Sequence, residues 1–240
     1  MIPQPAVSPF HRVEIDIKTD MPETAAGNKH IVVVMDSFSK YPIGIPVKDM
    51  KSSTIVQALL NNVFYIFGLP VEILTDAGST FTSVEFQHFC VAMGVKHVTA
   101  SPGHHQTVGQ VERFNKTLVE MVAKELAGQH PTKWDLVLPA MLFSYRGMVH
   151  PTTLETPFFA AMGREVVTPM DLFMGRIHPT TAGDVATTIR QTAEVLQQGR
   201  DIIKNNILES QQTMKDYFDK HVMEGRLQVH DIVTRLCPSR

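Results

Sequence analysis

Residues 12–18, RVEIDIK, alternate Val13, Ile15 and Ile17 with Glu14, Asp16 and Lys18. That is the two-residue period of a half-buried strand, and it places Asp16 on a face with polar neighbours. A turn-rich stretch, MPETAAGN, separates it from a run at 30–36 whose IVVVM centre is of strand length. YPIGIPV at 41–47 predicts a third strand, of edge character because its two prolines cannot donate to a ladder. Three strands this close together predict an antiparallel meander. The period then changes. From Ser52, where Ser-Ser-Thr offers N-cap candidates, Ile55, Leu59, Val63 and Ile66 recur at helical spacing as far as Gly68. A strand at 71–75, a helix at about 83–93, a strand at 95–99 and a helix from about 107 follow in alternation. The order βββαβαβα predicts an α/β fold, a mixed five-stranded sheet flanked by helices.

Beyond the sheet, Trp134 to Tyr145 reads as another helix, with Trp134 as a core anchor, and HPTTLETPFFAAMGRE as a loop leading into a short one. Asp184 to about Lys220 carries Ile189, Leu196, Ile203, Ile207, Met214 and Phe218 along one side, a long amphipathic helix suited to core packing or contact between copies. RLQVHDIVTRLCP then reads as an incipient strand.

Composition narrows the class. With 240 residues, 43% hydrophobic and 19% charged, the chain supports one substantial core plus an appendage and is not broadly disordered. No apolar run reaches the ~20 residues of a membrane span, and no secretory signal is read at the N-terminus, so no membrane partner is expected. The two cysteines, Cys90 and Cys237, are far apart and form neither a zinc knuckle nor a disulfide framework. A net charge of −2 means that any nucleic-acid contact must be local.

The chemistry centres on carboxylates. Asp76 closes the strand-like VEILTD, bounded by Leu69-Pro70 and Gly78-Ser79, and Glu112 opens a polar helix face after a loop of Pro102, Gly103 and Gly109. Their spacing of thirty-six is weak by itself, because Asp36/Glu72, Asp49/Glu85 and Asp135/Asp171 share it. Context selects Asp76 and Glu112, the two that are both flanked by turn chemistry that would open a cleft. If the first and fourth strands are parallel neighbours, Asp16 and Asp76 sit side by side at the carboxyl ends, where ligand sites form in such sheets. Asp36, ending an antiparallel strand, points to the other edge.

Three carboxylates suit two Mg²⁺ or Mn²⁺ ions, with Asp16 bridging and Asp76 and Glu112 each completing one site. The plainer readings are a solvated strand face for Asp16 and an i,i+4 pair with Lys116 for Glu112. Gln110, Arg113, Asn115 and Lys116 on the same helix are candidates for reaching phosphates or bases, a solvated helix face being the plain alternative. His97, His104 and His105, with His88 and Cys90, lack the spacing of a zinc site, so no zinc is expected. His104 is the better candidate for touching substrate or metal-bound water.

RVEIDI, IVVVMDSFSKYP, FGLPVEILTDAGSTFTS, SPGHHQTVGQVERFNKTL, WDLVLPAMLFSYR and HPTTLETPFFAAMGRE, in that order over about residues 10–175, resemble the integrase catalytic core of retroviruses and long-terminal-repeat retrotransposons, closest to the Ty3/gypsy-like branch. The resemblance implies a ribonuclease H-like fold and a catalytic, metal-binding triad at Asp16, Asp76 and Glu112. It implies metal-dependent 3′-end processing of DNA followed by strand transfer into target DNA, by a homo-oligomer in the nucleus. The implied organisation is an extension at 1–10, the core at 11–175, a helical linker at 176–222, and the start of a C-terminal barrel at 223–240.

The chain departs from the family in the loop before Glu112. It has Gly103-His104-His105-Gln106 where Tyr-His-Pro-Gln is usual, and Val108 where Asp or Asn is common. Losing a proline and an aromatic loosens the loop that positions Glu112. That motivates a rival expectation, a catalytically degenerate or domesticated relative that binds DNA or other subunits without chemistry.

Overall fold

A computed structural model describes residues 7–100, 109–175 and 185–219. The strands are β1 (Arg12–Lys18), β2 (His30–Asp36), β3 (Pro42–Val47), β4 (Glu72–Thr75) and β5 (Lys96–Thr99). They form one sheet in the order β3-β2-β1-β4-β5. β1–β2 and β2–β3 pair antiparallel, whereas β1–β4 and β4–β5 pair parallel. The predicted meander and mixed sheet are both present, with proline-bearing β3 at an edge. The helices are α1 (Ser52–Leu59), α2 (Tyr65–Phe67), α3 (Ser79–Thr82), α4 (Val84–Ala92), α5 (Gly109–Glu125), α6 (Trp134–Arg146), α7 (Pro157–Met162), α8 (Pro169–Phe173) and α9 (Val185–Asp219). The strand expected near the C-terminus and the loop at 103–108, His104 included, lie outside the described residues.

Alternation along β2 divides the core. Val32 and Val34 face α1 and α4, packing with Val13, Ile15, Ile73, Ile55, Leu59 and Phe86. Ile31, Val33 and Met35 face α5 and α6, packing with Val111, Phe114, Leu118, Trp134, Leu138 and Leu142. Trp134 is the core anchor expected of it, fully buried with its indole N–H donating to the carbonyl of Pro22 at 2.7 Å. Gly44 in β3 lets α6 approach closely, because a Cβ there would stand 3.1 Å from Leu142 Cδ1. α9 seats Ile203 and Ile207 against Phe38 and Ala160. At its contact with α7, Gly163 has φ of 72° and a Cβ would overlap Leu196.

Two local expectations are corrected. The helix read from Ser52 to Gly68 is interrupted by a π-helical turn at Leu60–Phe64. There Asn62 Nδ2 donates to the Ala58 carbonyl at 2.9 Å, competing with the backbone for an acceptor of the regular ladder. The N-cap of α1 is Lys51, with no side-chain cap. Ser52 Oγ instead donates to the Thr80 carbonyl at 3.0 Å and lies 2.7 Å from Ser83 Oγ, ties made across the fold. No helix among the described residues is long and apolar enough to cross a membrane.

Candidate active site

The parallel register pairs Val13 with Ile73, Glu14 with Leu74 and Ile15 with Thr75. One step further, the same register brings Asp16 beside Asp76, at the carboxyl ends of neighbouring strands. Asp16 stands opposite Val33 on β2 and therefore faces α5, where Asn115 Nδ2 donates to its Oδ2 at 2.5 Å. Burial lifts the Asp16 carboxyl above the usual carboxylate range, and the negative charges of Asp76 and Glu112 push it the same way. Hydrogen bonds from the Ile17 backbone and from Asn115 oppose that rise. Asp16 thus feels the other two carboxylates across three separate elements.

Asp76 is exposed, and its Oδ1 accepts from Gly78 N–H at 3.0 Å. Thr75, fully buried, donates through Oγ1 to the Asp76 carbonyl at 2.8 Å and lies 2.9 Å from His97 Nε2. Because that hydroxyl proton is committed, Thr75 Oγ1 accepts from an Nε2–H tautomer of His97. His97 meets the edge of Phe86, and burial lowers its pKa. Structural partners therefore account for His97. Glu112 lies in the first turn of α5, exposed, and forms no ion pair with Lys116 among the described residues.

The other carboxylates spaced by thirty-six all have structural employment. Asp36 is completely buried and accepts from Phe10 N–H, Ser39 N–H and Ser39 Oγ at 2.9, 2.7 and 2.5 Å, closing the β2–β3 turn. Glu72 pairs with Arg12 at 2.5 Å and Lys96 at 2.9 Å. Asp49 accepts from Lys51 N–H, Asp135 accepts from Asn28, Asp171 completes a capping box with Thr168, and Glu85 sits in the first turn of α4.

Of the side chains expected on DNA, Arg113 and Lys116 are exposed on α5 beside Glu112. Two are turned inward. Asn115 is 7% exposed and holds Asp16, and Gln110 is half-buried with Oε1 accepting from Lys40 Nζ at 2.6 Å. The helical period puts residues 111, 114, 115 and 118 on the core side, and Asn115 serves the site from there.

The polar face of β1 also differs from expectation. It lies beneath α5, so that Glu14 is buried with Ser37 Oγ donating to it at 3.3 Å. Burial, the dominant cause, raises its pKa to about 7 against the pull of Lys40. Buried Lys40 and half-buried His150 complete this cluster, and burial, with Lys40 and Arg113 near, holds the imidazole at about 4. No local pattern marks Glu14 or Lys40; only the landing of α5 on β1 buries them.

The donors are oxygens, which suit a hard divalent cation, and a cation there would relieve the mutual repulsion of the three carboxylates. Among the described residues, no three His, Cys, Asp or Glu side chains stand within joint reach of one ion. The exposed Asp76 and Glu112 would have to rotate toward Asp16 to share one.

The sequence model of the family described as "Integrase core domain" matches residues 6–105, a span that contains Asp16 and Asp76 and ends before Glu112. The retrovirus-related Pol polyprotein from transposon 412 of Drosophila melanogaster is 28% identical over 144 residues, 59% of this chain. The transposon Tf2-3 polyprotein of Schizosaccharomyces pombe is 28% identical over 222 residues, 92% of this chain. The matched regions are 12% and 16% of those polyproteins, so the chain spans a small part of their length. Among solved structures, the HTLV-2 integrase catalytic core domain in complex with magnesium superposes with a TM-score of 0.54 at 25% identity, covering 65% of this chain and 99% of that one. A chain of the simian T-cell lymphotropic virus intasome in complex with the PP2A regulatory subunit B56 gamma gives a TM-score of 0.60 at 23% identity. It covers 76% of this chain and 63% of that one, a likeness of fold. The mixed sheet with its flanking helices is the ribonuclease H-like fold of integrase cores.

Proposed function

We propose that this chain, which resembles the integrase catalytic cores of retroviruses and Ty3/gypsy-like retrotransposons, performs metal-dependent phosphoryl transfer on DNA, as 3′-end processing and strand transfer. The observation that carries this reading is the placement of Asp16 beside Asp76 on parallel strands, with the Asp16 carboxyl under the influence of both Asp76 and Glu112. Two Mg²⁺ or Mn²⁺ ions, when bound, supply activation of the attacking oxygen and stabilisation of the leaving oxygen. In this reading Asp16 lies between two half-sites, completed by Asp76 on one side and Glu112 on the other. Asn115 orients the Asp16 carboxylate, and the Thr75–His97 pair fixes the backbone of Asp76. Exposed Arg113 and Lys116 hold the DNA backbone, giving the local positive charge that the net charge of −2 does not supply. DNA ends, target DNA and further copies of the chain are the proposed partners, and the nucleus the proposed place of action.

The expected outcome is Mg²⁺- or Mn²⁺-dependent cleavage or joining of oligonucleotide duplexes, abolished by a chelator. Asp76→Asn lowers the rate by more than about a hundredfold, since even outer-sphere changes cost ~10–100-fold in metal affinity or activity. Activity that survived both treatments would overturn the mechanism.

The absence of a ready three-ligand group among the described residues favours a second reading, a core that binds DNA or other subunits without chemistry. Calorimetry separates the two: DNA binding with no divalent-metal binding at Asp16 and Asp76 selects the second.

A further inference from the structure

We propose that Glu14, Lys40 and Gln110 form a buried polar latch that fixes the first turn of α5 on the sheet and thereby aims Glu112 at Asp16 and Asp76. The two residues before Glu112 each face a polar side chain from beneath α5, one from β1 and one from the turn after β2. The Val111 backbone lies close enough to the Glu14 carboxyl to lower its pKa, and Gln110 Oε1 accepts from Lys40 Nζ at 2.6 Å. The holders come from different places, Glu14 from β1 two residues before Asp16, and Lys40 from the turn between β2 and β3. Ser37 joins them, its Oγ donating to Glu14 Oε1 at 3.3 Å and its carbonyl accepting from Lys40 Nζ at 2.6 Å.

The first backbone N–H groups of a helix have no partner within it, and a carboxyl group is a favourable one. Glu14 stands at that end of α5 beside Val111, yet sealing the face does not require it: apolar side chains of similar volume often stabilise as well as a buried charged pair. What the polar cluster adds is direction. Its cost is visible, since Glu14 Oε2 and Gln110 Nε2 are both buried without a hydrogen-bond partner among the described residues. Lys40 adds to that cost, holding φ of 63°, where glycine is the easy occupant. The chain keeps at this turn a long cation, 6% exposed, that reaches 70 residues along the sequence to α5.

Lys40 and Glu14 are positioning residues, and the proposal rests on the metal-site reading for its consequence at Glu112. The test is amide hydrogen exchange along α5, with Mn²⁺ affinity by calorimetry beside it. Lys40→Met and Gln110→Leu each speed exchange at residues 111–115 by about tenfold, the loss expected for a hydrogen bond to a charged group, and leave β2 and α4 unchanged. Lys40→Gly does the same although it relieves the backbone at the turn, whereas Gln110→Glu, which keeps the acceptor, preserves wild-type protection. Mn²⁺ affinity falls by ~10–100-fold in Gln110→Leu. Unchanged exchange in α5, or a rise shared equally by β2 and α4, overturns the latch. Faster exchange confined to α5 with unaltered Mn²⁺ affinity overturns its role in aiming Glu112. Should the wild-type chain bind no Mn²⁺, the metal-site reading fails, and the exchange data still decide whether the latch exists.

Discussion

The face of the sheet under α1 and α4 is filled by apolar side chains from β3 across to β4, relieved at its end by Thr75. The face under α5 and α6 is equally apolar in its middle, but where α5 begins it buries Glu14, Lys40 and Asn115. Both faces exclude water; they differ in what the buried groups specify. Apolar packing is non-directional and rewards area. Hydrogen bonds between buried groups reward one geometry and penalise the rest. The first face holds the sheet together, and the second holds one helix at one place on it.

The largest test of that contrast is on the apolar face. Leu59→Ala, at a fully buried position, is expected to lower the unfolding free energy by about 2–5 kcal/mol and to leave Mn²⁺ affinity within about twofold of wild type while the protein stays folded. Denaturant titration and calorimetry measure the two quantities, and a parallel loss in both would erase the distinction between the faces. A smaller effect is expected at the polar cluster. His150 has its pKa lowered to about 4 from 6.5, so its neutral form is the one the fold accepts. Its contribution to stability is full above about pH 6.5 and is lost as the pH falls towards 4, to a ceiling of about 3 kcal/mol at 1.36 kcal/mol per pKa unit. Thr152 N–H donates to His150 Nδ1 at 3.1 Å, an acceptor that asparagine keeps, so His150→Asn should flatten the acid limb of a melting profile. A limb as steep as wild type would place the acid sensitivity elsewhere. The smallest effect belongs to the exposed side of α5. Lys116→Ala should weaken duplex binding nearly independently of sequence and reduce the salt slope by about 1, and an unchanged slope would remove that helix from the DNA-facing surface.

The strands were legible because alternation and proline act locally. IVVVM has the length of a strand, and Pro42 and Pro46 pointed to an edge, where β3 lies. Helix ends were less legible. Ser52 looks like a cap from its neighbours, yet its hydroxyl is taken by Thr80 and Ser83, some thirty residues away. Asp76 and Glu112 stood out beside turns. Glu14 did not, because a glutamate alternating with valine and isoleucine has the pattern of a solvent face until a helix covers it.

From the sequence alone came the order of the elements, the selection of Asp76 and Glu112 by their local context, and the family that the motifs resemble, since each depends on residues near one another in the chain. The tertiary structure decided that β1 and β4 run parallel in a register that sets Asp16 beside Asp76, that Asn115 and Gln110 turn inward, and that a lysine from one turn grips the helix bearing Glu112. Those facts depend on which surfaces lose water together, and desolvation is a property of the packed chain rather than of any segment within it.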